Sequence, residues 1–368
     1  MNNPKITYVG PFYDSTGYCD AASKTALCIQ KAGYAIQAKT VKLTGQRVDA
    51  YPDIQKLELV RHKPDVVIQN YLPPLMVYHA GAKNIGYFFC ETSHFRPSNW
   101  QYNLNLMDEV WVCCDQNIEA AQRSGVTKPI KKVPIPYVNP YSSVVDRMDF
   151  GFPEETFVFF NVGDFSYRKN IMGLVEAYFL SFTKYDKVAL ILKCYCDGQP
   201  TAKSVEIIKH EINNLKRQLK KHNVDIYPPV YLVAEYLDEV ELQKFHNAGD
   251  CFISLERGAA WNLPCYQAMG EGKPVIVAGG GGQTEYLMGE KEGVTLLDGE
   301  VEFVKNMAQC PYPGLYTCHE KWFNPSIQHA VFAMQNAYRT GKIRYNRTTW
   351  LSKWDLAGCA AKFKEVLG

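Results

Sequence analysis

No stretch of this 368-residue chain approaches the run of about eighteen apolar residues that a membrane-spanning helix needs. A surplus of charge is missing too. Forty Lys and Arg stand against 38 Asp and Glu, a net charge of +2, which argues against a nucleic-acid backbone as the main partner while leaving room for a local basic patch. No G-x-G-x-x-G follows the first apparent strand, so no NAD site is read there. Cys194 and Cys196 form a C-x-C without a second Cys or His pair at finger-like spacing, and no metal site is expected. The polar N-terminus runs directly into a strand without a secretory pattern. The twelve scattered cysteines therefore read as reduced thiols, with a cytoplasmic location expected. There is no internal repeat and no low-complexity tract.

What is present is an ordinary globular composition, 46% hydrophobic and 21% charged, over a length that suits two domains. Short apolar strands are read at Lys5–Val9, Ala35–Val41, Asp65–Gln69, Asn84–Phe89, Glu109–Cys114 and Ile130–Pro136. Segments of helical spacing at Ala21–Ala32 and Gln116–Gly125 lie among them. After a polar, turn-rich stretch at Asn139–Pro153, a second alternating series begins with Phe157–Val162 and includes a long helix over Thr201–His222. Strands alternating with helices imply βαβ units and parallel sheets. The tail Thr348–Leu367 reads as one helix through Trp350, Trp354, Ala357, Ala361 and Phe363.

Ser254–Val277 is the most informative segment. It reads as a strand end, a loop of small residues, a helix starting near Pro264 and another buried strand. A loop that ends at a helix N-terminus aims unpaired N–H groups and the positive end of the helix dipole at one place, which suits a phosphate or diphosphate. The run Arg257-Gly258-Ala259-Ala260-Trp261-Asn262-Leu263-Pro264, then Gln267-Ala268-Met269 and Gly272-Lys273-Pro274-Val275-Ile276, resembles the donor-binding signature of group 1 (family 4) glycosyltransferases. In that family two glutamates eight positions apart hold the nucleotide sugar, and here Ala259 and Gln267 stand at those positions.

Three further stretches carry the resemblance. Asn161–Asn170 ends in Arg168-Lys169-Asn170 ahead of a helical segment, as in the family's diphosphate-binding loop. The physical reason is general: a departing diphosphate gathers negative charge, which Arg, Lys and oriented amides can neutralise. Ile85–Thr92, followed by Pro97, Trp100 and Asn105–Val112, resembles a first-domain strand after which Glu91 and His94 would face the acceptor. Glu91 reads equally as a cap on the next turn, and His94 as an exposed loop residue. Gly17-Tyr18-Cys19 resembles the glycine loop after the family's first strand. Gly279–Gly282 with Glu285 resembles a donor-side glycine loop, or reads as a simple turn.

The resemblance implies the GT-B fold: two doubly wound, Rossmann-like α/β domains facing a cleft, with the C-terminal helix crossing back to the first. The expected divisions are an acceptor-side domain over 1–145, a donor domain over 146–345 and a crossover helix over 346–368. It also implies a hexosyl- or pentosyltransferase that moves a sugar from a UDP- or GDP-linked donor to an acceptor hydroxyl, retaining and metal-independent, with no cofactor beyond the nucleotide sugar as substrate. The implied donor-site residues are Gly17, Arg168, Lys169, Glu256, Ala259, Trp261, Asn262, Leu263, Gln267, Gly282 and Glu285, with Glu91 as the catalytic candidate. The acceptor stays open among a glycan, a lipid-linked sugar, a protein and modified nucleic acid.

A non-catalytic nucleotide-sugar-binding or scaffolding relative is the alternative, because both glutamates are replaced. The basic amphipathic segment Lys209–Asn223 reads as a solvated face, or as a weak contact with an anionic membrane surface or nucleic acid.

Overall fold

The computed structural model describes residues 3–44, 48–139, 146–220, 224–305 and 316–368. The chain divides into two compact units, the first comprising Met1–Val138, Cys310–Lys321 and Thr348–Gly368, the second Asn139–Gln309 and Trp322–Arg347. Residues 316–321 thus belong with the first unit although they follow most of the second in sequence.

In the first unit, strands β1 (Ile6–Gly10), β2 (Ile36–Thr40), β3 (Val66–Asn70), β4 (Lys83–Tyr87), β5 (Glu109–Val112) and β6 (Ile130–Lys132) form a six-stranded sheet in the order β2-β1-β3-β4-β5-β6. Every pairing in it is parallel. Helices α1 (Gly17–Lys31), α2 (Pro52–Glu58), α3 (Trp100–Leu104) and α4 (Asp115–Arg123) lie between the strands, except that a single 3-10 turn, Pro73–Leu75, stands between β3 and β4. Strand β6 stops at Lys132, short of the expected Pro136, because the Pro134 and Pro136 nitrogens have no hydrogen to give to a ladder.

The second unit carries β7 (Phe157–Asp164), α5 (Ile171–Ser181), β8 (Val188–Tyr195), α6 (Thr201–Leu219), β9 (Val230–Val233), α7 (Glu239–Ala248), β10 (Cys251–Ser254), α8 (Leu263–Gly270), β11 (Val275–Ala278), α9 (Thr284–Leu287) and β12 (Val294–Leu297). Its sheet runs β12-β11-β10-β7-β8-β9, again parallel throughout. Phe157–Phe160 and Ala189–Leu192 are buried on both faces, the pattern of strands covered by helices on either side. A two-stranded sheet of β13 (Gly299–Phe303) and β14 (Lys321–Pro325) follows, and α10 (Ile327–Thr340) packs on α5 through Ala330, Ala333 and Met334.

The tail is two helices rather than the one expected. After α11 (Thr348–Trp354), the Asp355 side chain accepts the Gly358 N–H at 2.7 Å and starts α12 (Leu356–Leu367) as its N-cap. Both belong to the first unit: the Trp350 ring stands 5.7 Å from Tyr137, the Phe363 ring 5.8 Å from Trp111, and Lys131 donates to the Val366 carbonyl.

Helix α6 ends at Leu219 rather than His222, with Lys220 left-handed at φ 48°. Residues 221–223 of the basic segment lie outside the described residues. Ile212, Leu215 and Leu219 share the face that packs on the core, as the spacing predicts. Lys216 does not join a solvated basic face, since its ammonium stands 5.3 Å from the Phe179 ring centre. Among the described residues no helix is long and apolar enough to cross a membrane.

One buried carboxylate gives a pH test. Glu109 Oε1 accepts the Trp111 indole N–H at 2.6 Å, and Oε2 faces Lys83 at 3.0 Å and Lys131 at 3.2 Å. Burial works against its charge, but these donors outweigh it and hold the carboxyl below its usual range. A lowered folded pKa contributes stability that is present above the unfolded value, 4.5 for Glu, and is lost as pH falls below it. Urea titrations should therefore show Glu109→Gln less stable near neutrality, by about 2 kcal/mol because both lysines are half-exposed. The variant's decline below about pH 4.5 should also be shallower; parallel curves would remove Glu109 from the acid transition.

Candidate functional site

Counting strands of the second sheet from β7, the order is the 3-2-1-4-5-6 of a doubly wound fold, and its direction reverses between β7 and β10. Ligands of such sheets sit beyond the carboxyl ends of the strands at that reversal. The loops leaving β7 and β10 are the two the sequence singles out, and the structure ties them together. Asn161 Nδ2 of β7 donates to the Ile253 carbonyl of β10 at 2.7 Å, and further out the Arg257 N–H donates to the Arg168 carbonyl at 2.8 Å.

The β7 loop closes on itself before α5 begins. The Asn170 N–H donates to the Ser166 carbonyl at 3.2 Å, and Asn170 takes a left-handed conformation at φ 52°. This brings Arg168 and Lys169 to one carboxylate. Arg168 Nη1 donates to Glu256 Oε1 at 2.6 Å and to the Gly258 carbonyl at 2.7 Å, and Lys169 Nζ donates to the same Oε1 at 2.8 Å.

Glu256 is only 4% exposed, whereas both cations are half-buried and keep contact with solvent. Asp164, at the end of β7, lies 4.0 Å from Arg168. Burial opposes its charge, but Arg168, Lys169 and a bond from Ser166 outweigh this and hold its carboxyl low. Two cations and two carboxylates leave this cluster neutral. A further cation, Lys193, lies one strand over, where β8 pairs Lys193 with Val162, and its ammonium stands 4.6 Å from the Tyr195 ring centre. Burial pushes its pKa down.

The loop after β11 closes the other side. The Gly282 N–H donates to the Ala259 carbonyl at 2.7 Å, and a Cβ built on Gly282 would stand 1.7 Å from the Ala260 oxygen. Gln283 Nε2 ties the loop by donating to the Ala278 and Gly280 carbonyls, each at 2.8 Å. Glu285 is half-buried in the first turn of α9.

Ala259 is 3% exposed, so a larger side chain there has little room. The Trp261 ring is buried 5.3 Å from Tyr266 and 5.1 Å from Tyr286, which makes it packing beneath the loop. Asn262 is left-handed at φ 63°, caps α8 by accepting the Cys265 N–H, and gives its carbonyl to the Tyr286 hydroxyl at 3.0 Å. Leu263 opens α8 and is half-buried. Gln267 is half-buried one turn into α8, with its amide turned toward Gln243 and Glu271.

In the first unit, Gly17 is exposed as the first residue of α1, so its backbone is helical rather than part of an open loop. Glu91, half-buried after β4, accepts the Tyr316 hydroxyl at 3.0 Å. Ser93 and Lys321 bond in both directions, backbone N–H to carbonyl at 2.9 Å and N–H to hydroxyl at 2.9 Å, which fixes 316–321 against that loop. His94 is half-buried, and its carbonyl accepts the Thr92 hydroxyl. A concavity of about 260 Å³ in the first unit, lined by residues that include Thr7, Lys39, Lys63 and His79, holds none of the candidate residues. Among the described residues no cluster of three or more His, Cys, Asp or Glu is placed to hold a metal ion.

Sequence reasoning missed Tyr316 and Lys193, and the role of Glu256 as common partner of Arg168 and Lys169. It also missed the brace on Arg257, which donates to Tyr167 and Asn324 and lies 3.4 Å from Glu302. Only the Glu256 link had a trace in the sequence, an acid at the head of the same loop.

No family model and no curated protein matches the chain. Solved structures do. Sucrose-phosphate synthase from Thermosynechococcus elongatus superimposes with a TM-score of 0.62 at 14% identity, over 99% of this chain and 98% of that one. The trehalose-6-phosphate structure from E. coli bound with UDP-2-fluoro glucose gives 0.59 at 13% identity, over 99% and 98%. The pneumococcal O-GlcNAc transferase GtfA, solved with UDP and GlcNAc, gives 0.51 at 12% identity over 82% of this chain, which spans only 56% of that chain. At such identities the likeness shows the fold alone. The chain has the α/β fold of GT-B glycosyltransferases, with two six-stranded parallel sheets flanked by helices.

Proposed function

We propose that this protein is a glycosyltransferase that moves a hexosyl or pentosyl group from a UDP- or GDP-linked donor to an acceptor hydroxyl, with retention at the anomeric carbon and without a bound metal. The observation that supports it most is the convergence of Arg168 and Lys169 with the Glu256–Asn262 loop at the strand-order reversal of the second sheet. In this reading the bond from the anomeric carbon to the diphosphate oxygen breaks, and the leaving nucleoside diphosphate keeps the electron pair. The acceptor oxygen bonds to the carbon and gives up its proton. Arg168 and Lys169 part from Glu256 to meet the growing charge on the leaving group, where a preorganised cation contributes most.

The backbone at Asn262 and Leu263 serves the phosphate or sugar, Gln267 the ribose, and Glu91 is the candidate for the acceptor's proton. Gly17, Gly282 and Glu285 shape the surroundings, and Trp261 supports the loop from below. The acceptor class is a glycan, a lipid-linked sugar, a protein or modified nucleic acid. A second reading, donor binding without transfer, draws on Ala259 and Gln267 in place of acids.

Incubating the protein with UDP-, GDP- and ADP-sugars in EDTA separates the two. Release of nucleoside diphosphate supports the enzyme; saturable binding with no release, with or without added acceptor sugars, supports the binding protein. Release only after a divalent cation is added would contradict metal independence.

A further inference from the structure

The surroundings of Gln267 account for the loss of a carboxylate at that position. Gln267 of α8 and Glu271, the residue that caps the C-terminus of α8, lie four positions apart, the spacing at which helix side chains meet. Gln267 Nε2 donates to Glu271 Oε1 at 2.9 Å and to Gln243 Oε1 of α7 at 3.2 Å. Gln243 Nε2 in turn donates to Glu271 Oε1 at 2.8 Å and to Asn247 Oδ1 at 3.1 Å. Glu271 Oε2 faces Lys273 Nζ at 3.6 Å, with the two side chains only 10% and 2% exposed. Lys273 is itself held by the carbonyls of His246 and Gly249.

An ionised carboxylate only accepts hydrogen bonds, so the Gln267 amide can meet Glu271 only through its NH2. Burial works against the Glu271 charge, but His246, Lys273 and the two amides outweigh it and keep the carboxyl low, hence ionised near neutrality. The Gln267 Oε1 is therefore turned away from Glu271. A glutamate at 267 would instead set a second carboxylate about 3 Å from the first, where the two cannot both stay charged.

We propose that Glu271 and Gln243 are positioning residues that lock the Gln267 amide with its oxygen outward, as the acceptor for a ribose hydroxyl of the nucleotide. The acid missing at 267 is thereby replaced by a coupled pair: the acceptor oxygen stays at 267, and the negative charge moves one turn along α8 to Glu271. This inference rests on the donor-site reading above.

The test compares UDP and GDP with their 2′,3′-dideoxy forms by titration, in the wild type and in Glu271→Gln, Gln267→Glu and the double variant. In the wild type, loss of the ribose hydroxyls should weaken binding about tenfold, the effect of one well-placed hydrogen bond. Glu271→Gln replaces an acceptor-only group with an amide that can present either its oxygen or its NH2, so the Gln267 amide is no longer fixed one way round and this ratio should fall, while affinity for the dideoxy nucleotide stays unchanged. Gln267→Glu should lower the melting temperature. Adding Glu271→Gln should restore it and the ribose ratio together, since one donor and one acceptor face each other again.

A full ribose ratio in Glu271→Gln, or a double variant no more stable than Gln267→Glu, overturns the positioning role while leaving the donor site standing. Failure of the wild type to bind either nucleotide overturns the donor reading, and this inference with it.

Discussion

Gly282→Ala is expected to cost about 3 kcal/mol or more and to abolish nucleotide binding. The added Cβ would lie 1.7 Å from the Ala260 oxygen, 2.3 Å from its carbonyl carbon and 3.1 Å from the Trp261 nitrogen. All three are backbone atoms, so no side-chain rotation relieves the overlap. Moving the loops apart would break the bond from the Gly282 N–H to the Ala259 carbonyl, the tie between the β10 and β11 loops. Gly163→Ala, near the end of strand β7, is the control, because its Cβ would meet nothing closer than the Lys169 stem at 3.5 Å. Urea denaturation of both variants checks this. Equal small losses would mean that the close approach at Gly282 is not required.

Arg168→Ala and Lys169→Ala should each weaken UDP or GDP binding by about ten- to a hundredfold, the worth of a charge-assisted contact to phosphate. Glu256→Gln should not weaken it. Glu256 Oε1 holds both cations, so a donor phosphate must compete with that carboxylate. Neutralising it removes the competitor and leaves a net positive cluster, and the affinity should rise.

Stability should move the opposite way for the two kinds of change. Removing both cations strands a buried carboxylate, a loss of about 3 kcal/mol or more, and Glu256→Gln added to that pair should recover most of it. Titration calorimetry and thermal melts on the same variants read both effects. Unchanged affinity in the Arg168 and Lys169 variants would take them out of the site.

The fold was readable where the chain is periodic. Phe157–Val162 and Val188–Lys193 are apolar runs of strand length, and each is followed by a segment of helical spacing, which is enough to predict a parallel sheet. The loop position of Arg168 and Lys169 was readable because a buried strand precedes them and a helix follows. The tail was misread as one helix because its apolar spacing runs on past Asp355, whose extended backbone at ψ 177° and cap bond to Gly358 make the break.

The site's partnerships were out of reach for a different reason. Arg168 and Glu256 lie 88 positions apart, and Glu91 and Tyr316 lie 225 apart. Local spacing carries no record of which loops a sheet brings together. Trp261 stood among the donor-site residues because it lies in the Arg257–Pro264 run that carries the resemblance. Its burial against Tyr266 and Tyr286 depends on α9, whose four residues gave no periodic signal.

The most direct test of the account is titration calorimetry of the full chain with UDP and with GDP in EDTA, repeated on the Arg168→Ala, Lys169→Ala double variant. The account predicts saturable binding of at least one of the two nucleotides, with one site per chain, and its loss in the double variant. Binding of neither nucleotide by the wild type, or binding that the double variant retains in full, would contradict a diphosphate site at the reversal between β7 and β10.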